Sequence, residues 1–148
     1  MKIAIVDRYA WYSWNLSKVL SESLGRNGSV FFYGNKRRNW AMSPGKTILK
    51  PTWSPYLYPF EIFREALRDK PNITHIQFEA ITFGSPYTCV LLPLLLFLLR
   101  AVDTKIVVTI HGVVPRNIGK DVVGYLMPAL VPPLIAPLKL FFISRCES

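Results

Sequence analysis

Three short stretches of this chain carry side chains able to act together. Thr109-Ile110-His111-Gly112-Val113-Val114-Pro115 sets a titratable imidazole straight after an apolar run, and Gly112 lets the backbone turn or approach a ligand closely. His75-Ile76-Gln77-Phe78-Glu79 alternates polar with apolar residues, so an extended backbone puts His75, Gln77 and Glu79 on one face. Asp7-Arg8-Tyr9-Ala10-Trp11-Tyr12-Ser13-Trp14-Asn15 leads into a helical pattern whose amino end suits a phosphate or sugar hydroxyls. Each stretch also has a plainer reading. An isolated histidine or a strand-end carboxylate is commonly structural, and the aromatic cluster either stacks on a sugar ring or base or packs its own loop.

The elements that must position these residues alternate. Lys2–Asp7 is a short apolar run expected to form a buried parallel strand, and Ser29–Tyr33, Ile73–Phe78 and Lys105–Ile110 read the same way. A further short strand is expected at Thr47–Lys50. Between them, Leu16, Val19, Leu20 and Leu24 recur at helical spacing, with Ser13 or Asn15 placed to cap the helix. Pro59–Asp69 predicts a second helix with Phe63, Ala66 and Leu67 inward, and Pro86–Val102 a strongly apolar one buried against the sheet. Strands alternating with helices imply βαβ units, so the expected fold is α/β: one Rossmann-like domain over 1–148, its parallel sheet flanked by helices. In such a sheet ligands bind at the carboxyl ends of the strands, which is where all the stretches named above fall.

Composition narrows the function classes. With 51% apolar and 18% charged residues, the chain has ample surface to bury, which excludes intrinsic disorder. Cys89 and Cys146 form neither a metal-ligand spacing nor a disulfide framework, and no secretory pattern precedes Asp7, so the expected compartment is the cytoplasm. Eighteen Lys and Arg against nine Asp and Glu give a net charge of +9 and favour an anionic partner. The excess is uneven, nine basic against two acidic residues over 1–60. Neither G-x-G-x-x-G nor G-x-x-x-x-G-K-[ST] occurs, which argues against a standard dinucleotide or phosphate-loop site. Nucleic acid is set aside, because no recognised motif accompanies the basic residues. Val122–Ile143 has the length of a bilayer span, but Pro128, Pro132, Pro133 and Pro137 break it, so two short helices lying on a surface are expected.

The order K-I-A-I-V-D, helix, H-I-Q-F-E, apolar helix, K-I-V-V-T-I-H-G-V-V-P resembles the N-terminal domain of family-four glycosyltransferases, GT-B enzymes with two Rossmann-like domains facing across a cleft. The resemblance implies transfer of a sugar from a nucleotide-diphosphate sugar to a sugar or lipid-linked acceptor, without cofactor or obligatory metal. It casts His111 as the catalytic residue and Ser13, Asn15, Glu79, Thr109 and Gly112 as substrate-binding residues. Trp11-Tyr12-Ser13-Trp14 stands where that family typically carries a glycine pair. The resemblance further implies a domain incomplete at its C-terminal end, inactive until a C-terminal donor-binding domain or partner chain completes it. The alternative is a non-catalytic module at an anionic membrane surface, with Lys36-Arg37-Arg38 drawn to lipid headgroups on the inner face.

Overall fold

The computed structural model describes residues 1–8, 10–38, 40, 46–79, 83, 88, 90–111 and 142–144. They form a six-stranded sheet with β1 (Lys2–Val6), β2 (Ser29–Asn35), β3 (Ile48–Trp53), β4 (Ile73–Phe78), β5 (Lys105–Ile110) and β6 (Phe142–Ser144). Every pairing is parallel and the strand order is β3-β2-β1-β4-β5-β6. The chain therefore winds outward from β1 in one direction and then restarts at β4 in the other, the doubly wound arrangement expected of alternating strands and helices. Its reversal point lies between β1 and β4, beside the edge that carries Asp7 and Glu79.

Helices cover both faces. On one side α1 (Ala10–Leu24) lays Leu16, Leu20 and Leu24 over Ile3, Ile5, Val30 and Phe32. Ser13, Ser17 and Ser21, each one helical turn from the next, are all buried on this helix. The Ser17 and Ser21 hydroxyls donate to the carbonyls of Trp14 and Lys18, which satisfies small polar side chains at a close approach. On the other side α2 (Tyr58–Asp69) and α3 (Leu92–Arg100) enclose the larger core, which includes Trp53, Tyr58, Ile62, Phe83, Leu95, Leu96 and Leu99. Pro59 sits in the first turn of α2, and Lys70 ends that helix in the left-handed region, its N–H donating to the Ala66 carbonyl.

Several expectations are corrected here. The helix over Tyr58–Asp69 turns Ile62, Glu65 and Ala66 inward, while Leu67 is exposed, because Tyr58 and Ile62 set the buried stripe. Val19 is likewise exposed, the serines taking its place against the sheet. α1 begins at Ala10, so Ser13 and Asn15 lie inside the helix rather than at its cap. The apolar helix runs from Leu92, with Leu92, Pro93, Leu95, Leu96 and Leu99 buried, as a helix packed on a sheet requires. Phe142 and Ile143 belong to strand β6 instead of a surface helix; 122–141 lie outside the described residues. Among the described residues, no helix is long and apolar enough to cross a membrane.

Candidate functional site

The period of two in β4 sends Thr74, Ile76 and Phe78 toward α2 and α3 and leaves His75 and Gln77 on the α1 face, where Ile3 and Ile5 also lie. In the neighbouring strand Thr109 stands opposite Gln77 and Val107 opposite His75. Beyond β5, the His111 N–H donates to the Phe78 carbonyl at 2.8 Å, which continues the ladder by one residue and fixes the histidine at the carboxyl edge. Two adjacent parallel strands thus bring His75, Gln77, Thr109 and His111 together.

They form one hydrogen-bonded chain. The Gln77 side-chain oxygen meets His111 Nε2, its amide nitrogen lies 3.1 Å from His75 Nε2, and His75 Nε2 lies 2.8 Å from Thr109 Oγ1. An amide oxygen only accepts and an amide nitrogen only donates. With the Gln77 amide in this orientation, His111 Nε2 donates to its oxygen and His75 Nε2 accepts from its nitrogen. In the same orientation neutral His75 holds its proton on Nδ1, and the Gln77 amide and the Thr109 hydroxyl share the single lone pair of Nε2. On neutral His111 the lone pair resides at Nδ1. Burial holds the His75 imidazole below the usual histidine range, and the His111 charge lowers it further. Both rings are half-buried; burial disfavours the charged form of His75, while His111 stands one position past β5 at the carboxyl edge.

Around this chain, α1 contributes Tyr12, whose ring meets His111 edge-on with centroids 5.9 Å apart and planes 68° apart. Tyr12 is 54% exposed. Trp14, from the same helix, instead packs between Phe32 and Trp40 at 5.9 and 6.2 Å. Ser13 is fully buried, and its hydroxyl finds no partner among the described residues. Asn15 is exposed on α1, Glu79 is half-buried just past β4, and Gly112 lies outside the described residues. Asp7 is buried at the end of β1, following Ile3 and Ile5 in the alternation. Of the residues singled out from sequence, Thr109 and His111 come together. Ser13 is buried on α1 and lies outside this chain of hydrogen bonds. His75, Gln77 and Tyr12 complete the cluster; the signal for the first two was the pairing of His-x-Gln with Thr-x-His in neighbouring strands. Among the described residues no group of His, Cys, Asp and Glu is arranged to hold a metal ion.

No protein-family model matches the chain, and no curated protein does. The fold is similar to that of the Clostridium thermocellum family 3 carbohydrate esterase, with a TM-score of 0.53 and 16% identity, over 97% of this chain and 77% of that one. The likeness is one of fold. It overturns the resemblance to a family-four glycosyltransferase, and with it the GT-B and sugar-transfer expectation, since the architecture is matched by a hydrolase. The physical reason is that K-I-A-I-V-D, H-I-Q-F-E and T-I-H-G are what a doubly wound sheet produces wherever apolar strands end in polar residues at a ligand edge. The motif order reported the frame and not the chemistry hung upon it. Nothing in the described structure supports the membrane-module alternative.

Proposed function

We propose that this chain is a carbohydrate-directed hydrolase that cleaves an ester bond, with His111 as its general base. The observation that carries the reading is the hydrogen bond between His111 Nε2 and the Gln77 side-chain oxygen. Support for the substrate class comes from the shared fold with a carbohydrate esterase. With Nε2 committed to donation, Nδ1 is the basic atom. It takes a proton from water as the water oxygen attacks the ester carbonyl carbon. The tetrahedral anion then collapses, the bond from the carbonyl carbon to the sugar oxygen breaks, and Nδ1–H returns the proton to that oxygen. The products are a carboxylic acid and a free sugar hydroxyl.

Water is the nucleophile in this reading because, among the described residues, the serine and threonine hydroxyls of this region are buried or engaged. Ser13 is inaccessible, and Thr109 Oγ1 is held by His75. Tyr12 belongs to the first turn of α1, so the amino end of that helix lies beside His111, and its partial positive charge favours the anionic intermediate. Gln77 orients His111 as a carboxylate does in a Ser-His-Asp triad, but a neutral amide stabilises the imidazolium less.

The test is hydrolysis of an acetylated oligosaccharide, followed by acetate release. His111→Ala is expected to lower kcat/KM by about a hundred- to ten-thousand-fold. An undiminished rate in that variant, or no hydrolysis by the unaltered chain, contradicts the reading.

A further inference from the structure

Tyr12 and Trp14 of α1 take two different roles. Trp14 is committed to packing, stacked on Trp40 with planes 12° apart and edge-on to Phe32. Tyr12, two residues earlier, leaves more than half of its surface to solvent although its helix packs on a sheet. That exposure leaves the Tyr12 ring open to a ligand, as the packed Trp14 ring is not. The one ring contact of Tyr12 among the described residues is with His111, an edge-to-face arrangement with 68° between planes. Such a contact covers at most one face of the phenol.

We propose that Tyr12 is the sugar-binding platform of the site, and that the substrate is an acylated pyranose whose C–H face lies on the Tyr12 ring. A pyranose presents its axial C–H bonds as an apolar face, which suits the negative face of an aromatic ring, while its hydroxyls project from the rim. An acyl group on such a hydroxyl then lies toward His111, whose ring centroid is 5.9 Å from that of Tyr12. The inference rests on the proposed hydrolase reading and specifies its substrate: ring-closed sugars are preferred over acyclic esters because only they can cover the phenol.

The experiment compares an acetylated methyl pyranoside with ethyl acetate in the unaltered chain and in Tyr12→Ala, Tyr12→Phe and His111→Ala. Tyr12→Ala is expected to raise KM for the pyranoside about tenfold with kcat kept, a loss in the range of one aromatic contact. Tyr12→Phe keeps the ring face, so its KM for the pyranoside should stay well below that of Tyr12→Ala. An equal fall of kcat on both esters in Tyr12→Ala would show a ring that merely supports His111, and would overturn the platform. A Tyr12→Phe defect as large as that of Tyr12→Ala would overturn it too, since the hydroxyl and not the face would then matter. Should neither ester be hydrolysed, the hydrolase reading fails by itself. Chemical-shift changes at the Tyr12 ring on adding methyl pyranoside, absent with ethyl acetate, then still support the platform, and their absence removes it.

Discussion

The two faces of the sheet are built on different terms. Toward α2 and α3 lies a continuous apolar layer in which Trp53, Tyr58 and Phe83 meet ring to ring, Trp53 stacked on Phe83 at 4.9 Å. Polar groups on that side are paired off, as in Thr74 with Thr104 and the Tyr33 hydroxyl donating to Asp69 at 2.8 Å. Toward α1 the apolar cluster among the described residues buries Ile3, Ile5, Val30 and Phe32, and the sheet continues into His75, Gln77 and Thr109. Burying an imidazole costs free energy unless its nitrogens are satisfied. The difference therefore teaches where stability and chemistry divide: one face supplies the burial that holds the strands in register, and the other places a polar chain that the first makes sustainable.

The sharpest way to break the comparison is to remove mass from the apolar side. Trp53 is fully buried and its indole N–H donates to the Tyr33 carbonyl at 2.8 Å. Trp53→Ala is expected to cost about 3–5 kcal/mol, read by chemical denaturation. A loss below about 1 kcal/mol, at the level of a surface substitution, would mean that this face does not anchor the fold.

A smaller effect probes the polar side through pH. Burial and the His111 charge lower the His75 pKa in the folded state from its ordinary 6.5, so below 6.5 the unfolded chain binds the more protons. Stability from this residue is thus complete above 6.5 and is lost as pH falls through the lowered folded value. Denaturation at a series of pH values should show this decline, and His75→Gln, which cannot titrate, should flatten it. Equal slopes in both proteins would place His75 in contact with solvent.

Much of the frame was legible because apolar strands announce themselves. Ile73–Phe78 and Lys105–Ile110 have the same bounds in sequence and structure, for a central parallel strand needs an unbroken apolar or alternating run. Helix faces were less legible. Leu67 fits a helical stripe as well as Ile62 does, and only the position of β3 and Tyr58 decides which of them turns inward. Three serines taking the buried stripe of α1 run against hydrophobicity, because their role is closeness rather than apolar area. Of the site, His111 and Thr109 were visible at a strand end, whereas the bridging function of Gln77 depends on the register of β4 against β5, a tertiary fact. The chemical class was the least legible part, since one doubly wound frame serves unrelated reactions.

The central claim is that the Gln77 amide sets the two histidines in opposite protonation patterns. Nitrogen-15 NMR of the imidazole rings at neutral pH tests it directly. The account predicts a protonated Nε2 with a bare Nδ1 on His111, and a protonated Nδ1 with a bare Nε2 on His75. A His111 ring that carries its proton on Nδ1 would contradict it, because the nitrogen assigned to receive the water proton would already be occupied.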